Sequence, residues 1–192
     1  MPQVSASIWV GVEPADAFAV SQTTGRVRRA WDPFIRRQHF LDGATSPEVG
    51  VRTWTRARVG PAMVSRYVSY RPPRQAGMTM ESGPWFFDTF GGGWRFTPQA
   101  QDGVAGTLAV WKYTFSTRPA WLRPVADRVG TWLLGREIRA RIAAWARACT
   151  EPEVLAAARS DRAEREGSVV RGSSAGPPGG SPEQGSGDSP LG

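Results

Sequence analysis

The chain has one cysteine, Cys149, one histidine, His39, one lysine, Lys112, and no asparagine in 192 residues. A lone cysteine cannot form a disulfide within the chain. A zinc site needs about three or four protein ligands, more than one Cys and one His supply, so no metal is expected. Without asparagine there is no N-glycosylation acceptor. No apolar run approaches the roughly 18 residues of a membrane-spanning helix. The opening segment MPQVSASIWVGVEP has no basic stretch leading into a long apolar one, so no secretory leader is expected either. A cytoplasmic location follows as the expectation. Gly91-Gly92-Gly93 is not followed by the Gly-Lys-Ser/Thr of a phosphate loop, and no cofactor is expected.

Positive charge is plentiful but oddly composed. The net charge is +7, and apart from Lys112 it is carried by arginine, scattered from Arg26 to Arg171. Phosphate-binding surfaces commonly also use lysine as a point charge, and here no single run concentrates the arginines. No specific nucleic-acid partner is expected. Contact of outward arginines with an anionic membrane surface is the alternative use of this charge.

What the chain does have is tryptophan, nine of them, within a 40% hydrophobic composition. Burying one large side chain stabilises a fold by roughly 1.5–3 kcal/mol, so a real core is available. It should occupy residues 1–158, with residues 159–192 a polar, disordered tail. The shift is sharpest at Gly167: from Gly167 to Gly192, 18 of 26 residues are Gly, Ser or Pro. Such a segment cannot offset its ordering entropy. Gly172-Ser173-Ser174-Ala175-Gly176 there matches the G-x-S-x-G nucleophile elbow formally, but that motif needs a strand-to-helix turn around it.

Periodicity sets out the elements. Val4 to Val12 alternates as a strand. Pro14, Ala15, Phe18 and Ala19 begin a short helix, Gly25 interrupts it, and Val27, Ala30 and Trp31 continue in a second, ended near Pro33. Residues 35–41, 51–58, 62–70, 76–82, 85–97 and 105–117 read as strands separated by turn residues, the pattern of an antiparallel sheet. After Pro119, Leu122, Val125, Val129, Trp132, Leu133, Ile138, Ile142, Trp145 and Cys149 recur mostly three or four apart, with arginines, Arg141 among them, largely between them. That is a long amphipathic helix, and a weaker helical pattern resumes after Pro152. The fold class is α+β: a curved antiparallel sheet whose apolar face is covered by the long C-terminal helix. A small apolar cavity is expected between them.

This order, with Glu13-Pro14-Ala15-Asp16-Ala17-Phe18 after the first strand, WRFTP at Trp94–Pro98, TLAVWKYTF at Thr107–Phe115 and Leu-Arg-Pro before the long helix, resembles the START-like SRPBCC superfamily over residues ~4–150. The resemblance implies the helix-grip fold. It also implies binding, transport or sequestration of a small hydrophobic or lipid-like molecule, with polyketide aromatase/cyclase chemistry as the alternative. Fold does not fix chemistry, and the residues leave open whether the protein is an enzyme, as they do its oligomeric state.

Strand parity nominates the cavity lining. On 51–58 the arginines should face out, leaving Thr53 and Thr55 inward; Tyr67, Met78, Met80, Trp111 and Tyr113 share inward parity, and Trp132 and Leu133 lie on the apolar stripe of the long helix. Tyr67, Arg66 and Glu81 are the candidates for proton handling, with salt bridges as the plainer use of the last two. The triple glycine reads as a bulge that bends the sheet, or as a site of close approach to the backbone. His39 reads as a surface histidine.

Overall fold

The computed structural model describes residues 1–173, with side-chain surroundings as far as Gly167. Seven strands form one antiparallel sheet: β1 (Gln3–Val10), β2 (Ile35–Phe40), β3 (Arg52–Ala57), β4 (Ala62–Arg71), β5 (Gln75–Ser82), β6 (Phe87–Pro98) and β7 (Thr107–Thr117). Their order across the sheet is β1-β7-β6-β5-β4-β3-β2. Five consecutive strand pairs are neighbours, and only β1 reaches across to β7. Between β1 and β2 lie α1 (Pro14–Ser21) and α2 (Gly25–Trp31); after β7 come α3 (Arg123–Ala148) and α4 (Pro152–Ser173). This is the α+β arrangement expected from the element order, in the helix-grip form that the resemblance implied.

Local chemistry explains the boundaries. Pro14 starts α1, where its missing N–H is not needed. Gly25 opens α2 at φ +58°, a left-handed conformation that other residues adopt at a cost. Pro33 closes it. On β3 the alternation is borne out: Thr53, Thr55 and Ala57 are buried, while Arg52 and Arg56 are exposed.

The core sits where α1 and the C-terminal half of α3 meet β6 and β7. Trp94 and Trp111 stack at 4.1 Å between ring centroids. Trp145 of α3 packs on Trp94 at 5.1 Å and on Phe96 at 5.8 Å, and Phe18 of α1 meets Phe96 edge-on at 5.7 Å. Truncating one such aromatic to alanine costs about 3–5 kcal/mol. Trp145 is wholly buried, and its indole N–H has no hydrogen-bond partner among the described residues.

The apolar stripe of α3 divides in two. Ile138, Ile142 and Trp145 are buried, as is Cys149 just beyond the helix, but Val125, Val129, Trp132 and Leu133 are each at least half exposed. The stripe is therefore not one continuous buried face. The helix faces the sheet instead through Gly130, whose hydrogen lies where a Cβ would stand 2.8 Å from Cε2 of Phe115. Arg123 and Asp127, hydrogen-bonded to Thr117 at the end of β7, extend that inner face.

Two further readings change. Gly91, Gly92 and Gly93 pair in unbroken register with both β5 and β7, so there is no bulge at them. The close-approach reading holds, because the ring of Tyr113 lies over Gly92, leaving only 2.8 Å for a Cβ. The expected domain limit at residue 158 falls inside α4. That helix packs on α1, burying Val154 and Ala158 and pairing Arg159 and Arg162 with Asp16. The rest of the expected tail, residues 174–192, lies outside the described residues, as does the end of the elbow match. No described helix is long and apolar enough to cross a membrane.

Candidate functional site

The register of the sheet decides which side chains share its concave face. Thr53 stands opposite Ser65 and Thr55 opposite Met63. Ser65 in turn faces Met80, and Tyr67 faces Met78. Met78 neighbours Gly92, which neighbours Tyr113. Thr53, Thr55, Tyr67, Met78, Met80, Trp111 and Tyr113 thus lie on one face, as strand parity requires.

That face is unevenly covered. At the Trp94–Trp111–Trp145 end it is packed solid. Toward β4 and β5, Met63, Met78 and Met80, with Phe90 from β6, are only half-buried. The expected cavity beneath the helix is therefore filled by tryptophan at one end and open as a trough lined by methionine at the other. Two hollows stand out among the described residues, and both are surface grooves outside this trough. One of about 560 Å³ runs along Pro124, Val125, Arg128, Val129 and Trp132. The other, about 350 Å³, lies between the loop after α2 and α3.

Polar groups are buried beside the trough. Asp32, with no exposed side-chain surface, accepts hydrogen bonds from Arg28 Nε at 2.9 Å, from Arg141 Nη2 at 2.8 Å and Nε at 3.2 Å, and from the Phe34 amide at 3.0 Å. Arg141 also donates to the Tyr113 hydroxyl at 2.8 Å and to Glu137 at 3.2 Å, and its guanidinium lies over the Trp111 ring. Burial disfavours the Asp32 carboxylate, but Arg141 and Arg28 outweigh it and hold its pKa at about 2. Burial pushes the phenols of Tyr113 and Tyr67 up, so both stay neutral and able to donate. Burial also raises Glu137, against the pull of Arg141. Tyr67 donates to Gln22 at 3.1 Å. Tyr113 accepts from Arg141, which leaves its own proton for another acceptor.

Other nominated residues stand elsewhere. Arg66 and Glu81 lie on the convex face, turned from Tyr67, and pair at 3.0 Å, with Arg52 joining them. Trp132 and Leu133, 62% and 51% exposed, lie outside the buried stripe that Ile138, Ile142 and Trp145 form on α3. The part of α3 that approaches the sheet beside them is Gly130, against Phe115. His39 is exposed and lies against Trp54.

Asp32, Arg28, Arg141 and Glu137 were not among the residues nominated from sequence. Arg28 and Asp32 sit four apart at the end of α2, which signals a helical ion pair. Arg141 reads as one of the polar-face arginines of α3, yet it shares a side with Ile138 and Trp145 at spacings of three and four, the signal that it turns inward.

Comparison with curated proteins gives no match. Among solved structures, XoxI from Bacillus cereus superposes with a TM-score of 0.62 at 14% identity, covering 80% of this chain and 99% of that one. A START superfamily protein from Mycobacterium smegmatis gives 0.57 at 12%, covering 72% and 92%. Ara h 8.0201 gives 0.58 at 15%, covering 78% and 97%. At such identities these likenesses establish the fold. The family model described as polyketide cyclase/dehydrase and lipid transport matches residues 1–150, through β1 and the curved sheet to the end of α3. The chain belongs to that family.

Proposed function

We propose that the domain binds a small hydrophobic or lipid-like molecule in the open trough of the concave face and carries or sequesters it. The observation that supports this most directly is the pairing of two surfaces. Half-buried Met63, Met78, Met80 and Phe90 offer an adaptable apolar wall, and the Tyr113–Arg141 pair stands beside it with one hydroxyl proton uncommitted. Most of a small ligand's contact area is apolar, and a few placed polar groups orient it. An elongated apolar molecule with one carbonyl or carboxylate suits that pattern. Thr53 and Thr55 are small and leave room at the far side of the trough.

Displacement of phenylnaphthylamine, a dye that brightens in apolar sites, tests the proposal, beside native mass spectrometry of the protein as purified. Ser65→Phe places a ring between Thr53 and Met80 and should abolish dye binding while the far-ultraviolet spectrum is kept. Equal binding by wild type and Ser65→Phe would overturn the trough as the site.

The cyclase reading draws on the same pair. A neutral phenol held by a guanidinium can donate to a carbonyl as it becomes an enolate, and Glu137, raised by burial, could exchange a proton nearby. Tyr113→Phe should then abolish turnover of a poly-keto substrate while sparing its binding. Tyr67→Phe, whose hydroxyl is already given to Gln22, should have little effect. Binding without turnover by the wild-type protein keeps the carrier reading.

A further inference from the structure

A surface that adjoins the trough, through ring contacts from Trp85 by Phe86 and Phe87 to Phe90, carries large apolar side chains into solvent. In the turn before α3, Trp121 is 80% exposed; in the β5–β6 loop, Trp85 is 79% exposed. The Arg118 amide donates to the Phe86 carbonyl at 2.8 Å, which brings that loop alongside the turn. The patch continues along the outer side of α3 through Val125, Val129 and Trp132. Exposed contiguous apolar surface of this kind marks an interaction site.

Charge on this side of α3 has one sign. Arg128 lines the groove with Val125, Val129 and Trp132, and Arg136 falls on the same outer side by helical spacing. Among the described residues, neither is paired with a carboxylate. The carboxylates of the same stretch are engaged inward: Asp127 accepts from Thr117, and Glu137 from Arg141.

We propose that this face docks on an anionic phospholipid bilayer. Tryptophan prefers the depth of the headgroups, where its ring is apolar and its N–H wet. Arginines beside an apolar helix face add attraction to anionic lipid, and the two together bind where either alone is marginal. A second copy of the chain fits less well. A symmetric helix-to-helix contact would bring Arg128 and Arg136 of both copies together, and among the described residues the outer side of α3 has no carboxylate to meet them. Trp121, Arg128, Trp132 and Arg136 are not among the half-buried residues of the trough, so vesicle binding is read separately from dye binding.

Co-sedimentation of the full chain with phosphatidylcholine vesicles, with and without phosphatidylglycerol, tests the proposal. The wild-type protein should pellet with the anionic vesicles and stay in solution with the zwitterionic ones. Trp121→Ser/Trp132→Ser and Arg128→Gln/Arg136→Gln should each weaken the binding about tenfold or more. All four positions are exposed, so melting should be unchanged, and phenylnaphthylamine binding in the trough should persist. The proposal is overturned if anionic vesicles do not pellet the protein, or if the tryptophan variant pellets as well as wild type. It is overturned equally if sedimentation velocity shows a dimer that Trp121→Ser/Trp132→Ser dissociates, which gives the face to a second copy.

Discussion

Arg141 and Asp32, 109 positions apart, meet as a two-pronged pair in the interior, Nη2 to Oδ2 at 2.8 Å and Nε to Oδ1 at 3.2 Å. Their side chains are 9% and 0% exposed. The pair ties the loop after α2 to the C-terminal half of α3, and through the Tyr113 hydroxyl it ties both to β7.

Asp32→Asn keeps the shape of the side chain but leaves Arg28 without a counter-charge and Arg141 with Glu137 alone. Removing one partner of a buried ion pair costs about 3–5 kcal/mol, and urea unfolding should show a loss of that size. A loss below about 1 kcal/mol would mean that the pair is not what joins α2 to α3.

Acid should find the same group. The Asp32 pKa is about 2 in the folded chain against 3.8 for the ordinary side chain, because Arg141 and Arg28 overcome the cost of burial. A depressed folded pKa gives stability that is complete above the unfolded value and lost as pH falls through the folded one. Between about pH 4 and pH 2 the wild-type protein should lose about 2 kcal/mol on this account. Asp32→Asn should lack that component, which melting across the window in both proteins will measure.

Two glycines of α3 should respond with opposite signs. At Gly130 an added Cβ meets the buried Phe115 ring at 2.8 Å, whereas at Gly135 its nearest neighbour is Arg139 at 3.5 Å. Gly130→Ala should therefore destabilise by about 1–3 kcal/mol through overpacking. Gly135→Ala should stabilise by up to about 1 kcal/mol through helix propensity. Thermal unfolding of the two variants checks both, and a stabilised Gly130→Ala would contradict the close crossing at Phe115.

Arg66→Ala should change stability by about 0–1 kcal/mol, as exposed ion pairs do. Since Arg66 and Glu81 pair on the convex face, Arg66→Ala and Glu81→Gln should leave dye binding in the trough unaltered. A several-fold weaker dye in either variant would place the ligand on the other side of the sheet.

Cys149 is fully buried, and burial pushes its thiol up. It should resist a thiol-specific reagent in the native protein and react stoichiometrically in urea. Rapid native labelling would reveal opening where α3 ends.

The strands and the faces of Thr53, Thr55, Trp111 and Tyr113 were legible from alternation alone, because the side of a sheet that a residue occupies follows from its own backbone and its nearest neighbours. The same holds for the long helix after Pro119. What lies opposite a face is not local. The stripe of Val125, Val129 and Trp132 satisfies every helical rule that Ile138 and Trp145 satisfy, yet the sheet meets one half and not the other. Gly130 against Phe115 sets that contact, and no spacing within α3 records it. The inward turn of Arg141 depends likewise on a carboxylate contributed from beyond the other end of the sheet. A buried charge is tolerable only beside its partner, and the chain path that brings Asp32 there exists only once all seven strands are in register.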